Sequence, residues 1–276
     1  MNLIYICVNY NNSGYTLAAI NSLLNHCSSV LAIVVDNNSG NSDLIRLTEF
    51  ANQNNNVIII KSSSNIGYFP ALNLGIKYLK INEYSYDAVI IGNNDLLFPS
   101  NIELSLSRIK GLFNLYPVIS PDIVNSDGDH QNPHVINDVS KIRLFLYSVY
   151  YSNYYIGMVL KKVNKYLSKY TSRGDEKKHD QPLQISQGHG SCYILSPLFF
   201  QEFTSLFAPT MLYGEEFFLQ KQLESKGYRV FYEPTINVYH DSHATISNLP
   251  SYKHWSLMKT AFHAEISIRK ENKINI

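Results

Sequence analysis

Four runs of aliphatic and β-branched residues, LIYICV (3–8), VLAIVVD (30–36), NVIIIKS (56–62) and YDAVIIG (86–92), recur through the first hundred residues with longer amphipathic stretches between them. This alternation constrains the fold more than any other feature. Runs without polar interruption read as strands covered on both faces, and strands joined by helix-length segments pair in parallel. The segments between, 14–27, 42–53 and 68–80, read as helices. The expectation is an α/β, Rossmann-like, mostly parallel sheet flanked by helices. At 276 residues the chain is long enough for one such unit with an appendage.

Polar residues gather at one end of those strands. Asn9 and Tyr10 follow the first, Asp36 to Ser39 the second, Ser62 to Gly67 the third, and Asn93, Asn94 and Asp95 the fourth. Open α/β sheets hold ligands in the crevice at the carboxyl ends of their strands, so a site is expected there. Beyond Asp95 the alternation fades. Residues 99–114 read as a helix, YPVISPDIV (116–124) as an edge strand because of its prolines, and 125–140 as a loop. Residues 171–182 read as a charged mobile loop, and GSCYILS (190–196) as a return to the sheet. Helices are expected over 198–207 and 214–227, extended segments over 228–234 and 236–240, and an amphipathic stretch from Tyr252 to about Lys270.

Twenty-three basic against 22 acidic residues leave a formal charge of +1. That is too little to gather nucleic acid, so an anionic ligand must be held by local groups. Cys7, Cys27 and Cys192 form no CxxC pair, which suits a reducing compartment and supplies no zinc knuckle. The opening MNLIYICVNYNN lacks the basic and long apolar regions of a secretory leader. The longest uncharged stretch, Leu144 to Leu160, is shorter than the ~20 residues of a spanning helix. A cytoplasmic location is expected. Residues 141–170 are dense in aromatics flanked by Lys141, Arg143, Lys161, Lys162 and Lys165. With 253–270, they have the pattern of a face resting on anionic lipid, or of a Tyr-rich layer packed over the sheet.

Each candidate residue has a plain and a sharper reading. Asp36 opens DNNSG either as a helix cap or as an acceptor for a base or ribose. Asn65, Gly67 and Asn73 belong to a strand-to-helix turn in which glycine permits positive φ, or in which free amides meet a phosphate. Asp95 caps the following helix or holds a hard divalent cation. Glu215 and Glu216 compensate a helix dipole, or one of them, desolvated by Phe217 and Phe218, is a base. His240 and His243 are surface histidines or metal ligands.

Taken in order, VNYNN (8–12), VVDNNSG (34–40), NIGYFPALNLG (65–75), GNND (92–95), GEEFFLQKQLESKGYRV (214–230) and EPTINVYH (233–240) resemble the motifs of family 2 glycosyltransferases of the GT-A fold. The similarity is greatest to bacterial enzymes that extend surface polysaccharide, including rhamnosyltransferase-like members, and covers about residues 3–100 and 187–245. It implies a UDP- or dTDP-sugar donor bound through Asn9, Tyr10, Asp36, Asn38, Asn65, Gly67, Asn73 and Asn94. It implies a divalent cation, Mg²⁺ or Mn²⁺, on Asp95 and His240. Glu216, or Glu215 in its place, would be the base of an inverting transfer to a glycan or lipid-linked acceptor in O-antigen or capsule synthesis. The resemblance divides the chain into a domain over 1–245 and a C-terminal helical segment over 246–276. Residues 1–100 would be the nucleotide half, and 101–245, with an insertion at about 130–185, the acceptor half. Peripheral contact with the cytoplasmic face of the inner membrane is expected, and nucleic acid is not. Two positions depart from the pattern: Glu216 stands where the family has Asp, and Gln222 where it often has arginine. A sugar-phosphate nucleotidyltransferase would need an arginine that NYNNSGYT lacks. A catalytically idle glycan-binding protein would not need Asp36, Asp95, Glu216 and His240 together.

Overall fold

The structure, a computed structural model, describes residues 1–171, 174–241 and 251–271, without the side chains of 164–171 and 251. His243 lies outside the described residues. β1 (Asn2–Asn9) sends Leu3, Tyr5 and Cys7 to one face of the sheet and Ile4 and Ile6 to the other, and all five are buried. The run lacks polar alternation because both of its faces are covered. β2 (Ser29–Asp36), β3 (Val57–Lys61) and β4 (Ala88–Asn93) repeat the pattern and pair in parallel in the order β3-β2-β1-β4. α1 (Ser13–Leu24) and α2 (Asn41–Gln53) cover the face of Leu3 and Tyr5. α3 (Tyr68–Ile81) covers the other through Phe69, Leu72 and Ile76. The register sets Asn9 beside Asp36 and Val8 beside Asn93, so the polar strand ends lie level along one edge.

Past β4 the sheet becomes mixed. β5 (Leu96–Leu97), β6 (Val118–Asn125), β8 (Cys192–Leu195) and β9 (Val230–His240) extend it in the order β4-β8-β6-β9-β5, and β7 (Leu183–Ile185) pairs with β9. The strand expected at an edge is therefore interior: β6 lies between β8 and β9. Its Pro121 is tolerated because the ladder breaks there, Pro121 pairing with Glu233 and Asp122 with Asn237. A bulge removes the demand for the missing N–H as an edge position would. The two extended segments expected over 228–240 are the two sides of that bulge in the single strand β9.

α4 (Ile102–Arg108) and a 3₁₀ turn (Lys110–Asn114) occupy the helix expected over 99–114. Only α7 (Pro197–Glu202) forms from the helix expected over 198–207. Side-chain amides hold the remainder. Asn73 donates to the Leu206 carbonyl at 2.9 Å and accepts from its N–H at 2.8 Å. Gln222, on α8 (Glu215–Glu224), accepts from Phe207 N–H at 2.9 Å and donates to the Ser205 carbonyl at 2.7 Å. The loop expected to be mobile is tied down over its described part. Asp175 accepts from Ile136 N–H at 3.1 Å and Tyr232 Oη donates to the His179 carbonyl at 2.6 Å.

α5 (Lys141–Ser152), α6 (Tyr154–Thr171) and α9 (Ser251–Glu271) gather around Tyr151, Trp255 and Phe262. The aromatic region thus packs on α9 rather than over the sheet, and α9 buries its apolar side there. The outer faces of α5 and α6 leave Ile142, Phe145, Leu146, Tyr155, Ile156 and Val159 exposed. Among the described residues no helix is long and apolar enough to cross a membrane.

Candidate active site

The level strand ends are joined by a buried relay of side chains. Asn94 donates to Thr16 Oγ1 at 2.7 Å, Thr16 donates to Asn9 Oδ1 at 2.7 Å, and Asn9 donates to Asp36 Oδ1 at 3.1 Å. Asn94 also donates to Asn12 at 2.6 Å. Every donor in the series points toward the Asp36 carboxylate, so the bonds polarise one another in one direction. Asp36 is fully buried and its second oxygen accepts from Ser39 N–H at 3.2 Å. Its acceptors face Asn9 and Ser39, which places it beneath the crevice floor as the anchor of the turn. Tyr10 and Asn38 are exposed at the rim, Asn38 with φ 67 in the left-handed region. Thr16 escaped the sequence reading because it sits on α1 rather than after a strand.

Two of the residues expected to meet a phosphate have partners within the fold. At Gly67, with φ 98, a Cβ would fall 1.9 Å from the Met211 carbonyl oxygen, and that oxygen accepts from Tyr68 N–H at 3.0 Å. The glycine is required by the passage of the chain at Met211, and the first α3 amide is already engaged. Asn73 is a strut to Leu206, as described above. Asn65 accepts from Gly67 N–H at 3.1 Å and from Asn37 at 3.1 Å. Asn37, inside the polar group after β2, is buried and also donates to the Gly67 carbonyl at 3.0 Å, joining the turns after β2 and β3.

Asp95 and His240, 145 positions apart, meet because Leu96 of β5 pairs with His240 of β9. His240 Nδ1 faces Gln131 Oε1 at 2.8 Å and Nε2 faces the Asn93 amide nitrogen at 3.2 Å. An amide oxygen only accepts and an amide nitrogen only donates, so with the amides assigned this way Nδ1 donates to Gln131 and, in the neutral ring, Nε2 accepts from Asn93. Nε2 lies 3.3 Å from Asp95 Oδ1, a buried oxygen with no hydrogen-bond partner. The Asp95 oxygen thus faces the His240 ring, and a proton on Nε2 or a cation between the two atoms would give it a partner. One carboxylate oxygen and one imidazole nitrogen, the ring fixed from behind by an amide oxygen, fit a divalent metal. Gln131 was missed because it lies in a loop without a motif.

Residues 189–191 connect this pair to α8. Ser191 O accepts from Asn93 N–H at 2.8 Å, and Gly190 N–H donates to Glu216 Oε1 at 3.2 Å. A Cβ at Gly190 would lie 2.6 Å from that oxygen, so only glycine lets the carboxylate approach. His189, also missed, lies half-buried between His134 and His240, with ring centroids 5.6 and 5.8 Å away. Burial first, then those two rings, push its pKa down to about 3, so it stays neutral. Its flanking glycines in QGHGS were the available signal. Glu216 lines a cavity of about 300 Å³ with His134, Arg143, Gln187, Phe217 and Glu265. Glu215 turns back to accept from Tyr213 N–H at 3.0 Å. Burial, then the charge of Glu216, raise the Glu215 pKa to about 8. Of the two adjacent carboxyls, Glu215 is thus biased toward its protonated form while Glu216 faces the cavity.

The family model for glycosyl transferase family 2 matches residues 5–146, just over half of the chain. The chain belongs to glycosyltransferase family 2. The low-salt glycan biosynthesis hexosyltransferase Agl10 of Haloferax volcanii is 30% identical over 128 residues, 45% of this chain and 37% of that protein. Three solved structures share the GT-A fold at 12–14% identity. GalNAc-T7 with UDP, GalNAc and Mn²⁺ has a TM-score of 0.59 and matches 87% of this chain and 44% of its own. S. aureus TarS with UDP-GlcNAc has a TM-score of 0.59, at 96% and 66%. The mannosyltransferase PcManGT of Pyrobaculum calidifontis with GDP-Man and Mn²⁺ has a TM-score of 0.57, at 97% and 64%. The family 2 chain thus spans less than two thirds of the length of each of these proteins.

Proposed function

We propose that this family 2 chain is an inverting glycosyltransferase that moves a sugar from a UDP- or dTDP-sugar to a glycan or lipid-linked acceptor, as in O-antigen or capsule synthesis. The observation that carries the reading is the unpartnered Asp95 oxygen facing His240 Nε2 at the crevice edge. Solved relatives of the fold hold UDP or GDP-Man with Mn²⁺, which supports a nucleoside diphosphate and a divalent cation here. When bound on Asp95 and His240, the cation supplies Lewis-acid stabilisation of the departing diphosphate. The rim residues Tyr10 and Asn38 would meet the nucleoside, with Asn9 and Asn94 below them held in place by Asp36. The acceptor would enter the cavity beside Glu216, which takes the hydroxyl proton as the new bond forms; such a base contributes about 10²- to 10⁴-fold. A single in-line displacement inverts the anomeric centre.

The exposed apolar faces of α5 and α6, bordered by Lys141, Arg143, Lys161 and Lys162, support peripheral docking on anionic lipid at the cytoplasmic face of the inner membrane. Between Asp138 and Asp175 the chain carries no acidic residue, so nothing there repels such a surface. Nucleotide release from a panel of sugar nucleotides, followed by NMR of the new linkage, tests the activity. An inverted product from a UDP- or dTDP-sugar is expected. A retained configuration, or no release from any donor with a glycan or lipid-linked acceptor supplied, would overturn the proposal.

A further inference from the structure

Behind the Asp95–His240 pair lies a second group of metal-ligating side chains that the proposed transfer does not use. Asp122 follows the bulge in β6 and is buried, and both its carboxylate oxygens lie 2.9 Å from Nδ1 of His130. The ring of His179 stacks on that of His130, with centroids 3.6 Å apart and planes 15° from parallel. One ligand atom from each residue falls within 4.8 Å of the others. Three different parts of the chain deliver them: a strand, the loop that returns along it, and the segment after the 3₁₀ turn (Asp175–Lys178).

We propose that Asp122, His130 and His179 form a structural Zn²⁺ site. Two imidazole nitrogens and one carboxylate oxygen are a donor set suited to this borderline ion. Ligands ~2.1 Å from a tetrahedral ion stand ~3.4 Å apart, so the observed spacing requires only small adjustments of the half-exposed imidazoles. His130 Nδ1 lies against both Asp122 oxygens and the Tyr232 hydroxyl stands beside the same carboxylate, whereas the His179 ring makes no hydrogen bond among the described residues. An ion between the three takes one carboxylate oxygen and one nitrogen of each ring, and water takes the open position on the half-exposed side. The site would pin the 174–180 segment to the loop over 129–132. In that loop His130 turns to this cluster, and its neighbour Gln131 holds His240. The two metal positions are thus separate but share one support.

Untagged full chain, equilibrated with Zn²⁺ and freed of excess by gel filtration, is assayed for bound metal by mass spectrometry and for melting temperature. One zinc per chain and a rise in melting temperature on zinc addition are expected. His179→Ala, its fold checked by circular dichroism, should bind at least tenfold more weakly and lose the rise, while Asp95→Asn keeps both. Absence of retained zinc in the wild type, equal retention by His179→Ala, or loss in Asp95→Asn alone would each overturn the proposal.

Discussion

Replacing Glu215 by glutamine keeps the oxygen that accepts from Tyr213 N–H and removes the ability to ionise. The folded-state pKa of about 8 lies above the ordinary 4.5, with burial the main cause and the Glu216 charge the second. A raised carboxyl contributes stability that is whole below pH ~4.5 and is lost progressively as pH rises through about 8. At ~1.4 kcal/mol per pH unit that interval caps the loss at ~5 kcal/mol. Sharing of the proton with Glu216 and partial exposure reduce it to roughly 1–3 kcal/mol. For a chain of 276 residues this amounts to about 2–5 °C. Glu215→Gln should therefore melt with the wild type at pH 5 and about 2–5 °C above it at pH 9, read by circular dichroism across that range. Equal melting at pH 9, or destabilisation at both pH values, would refute the division of roles between the two carboxyls.

Glu216→Gln should lower turnover by about 10²- to 10⁴-fold with donor affinity nearly unchanged, because the interaction removed belongs to the transition state; steady-state kinetics beside calorimetry of donor binding checks this. Gly67→Ala forces a Cβ onto the Met211 backbone and should cost more than ~2 kcal/mol in urea unfolding, whereas Gly128→Ala, with open space around it, should cost less despite its positive φ. Asn73→Ala should cost roughly 1–3 kcal/mol in the same assay, since it strips partners from both backbone groups of Leu206. Flotation with anionic liposomes at low salt should carry the wild type upward and leave a Phe145→Glu, Ile156→Glu variant at the bottom; wild type that stays down removes α5 and α6 from membrane docking.

The crevice was legible because strands buried on both faces permit polar residues only at their ends, which is why Asn9, Asp36 and Asp95 stood out. What each does was less legible, because that depends on partners distant in sequence. Gly67 is fixed by Met211 and Asn73 by Leu206, contacts that leave no trace in a turn motif. Pro121 pointed to an edge because proline lacks an N–H, yet the bulge opposite Glu233–Asn237 satisfies the same requirement inside the sheet. His189 and Gln131 carry no periodic signal, and the packing of the α5 and α6 aromatics was not legible because it depends on α9, about a hundred residues away, which covers one side of them and leaves the other open.

The most direct measurement is calorimetric titration of UDP or dTDP into the wild type and Asp95→Asn, each with Mn²⁺ and with EDTA. If the orphan oxygen of Asp95 and the Nε2 lone pair of His240 hold the cation against the donor diphosphate, Mn²⁺ should tighten nucleotide binding at least tenfold in the wild type and have little effect in the variant. Equal affinity in Mn²⁺ and EDTA for the wild type, or the same gain in Asp95→Asn, would contradict the account.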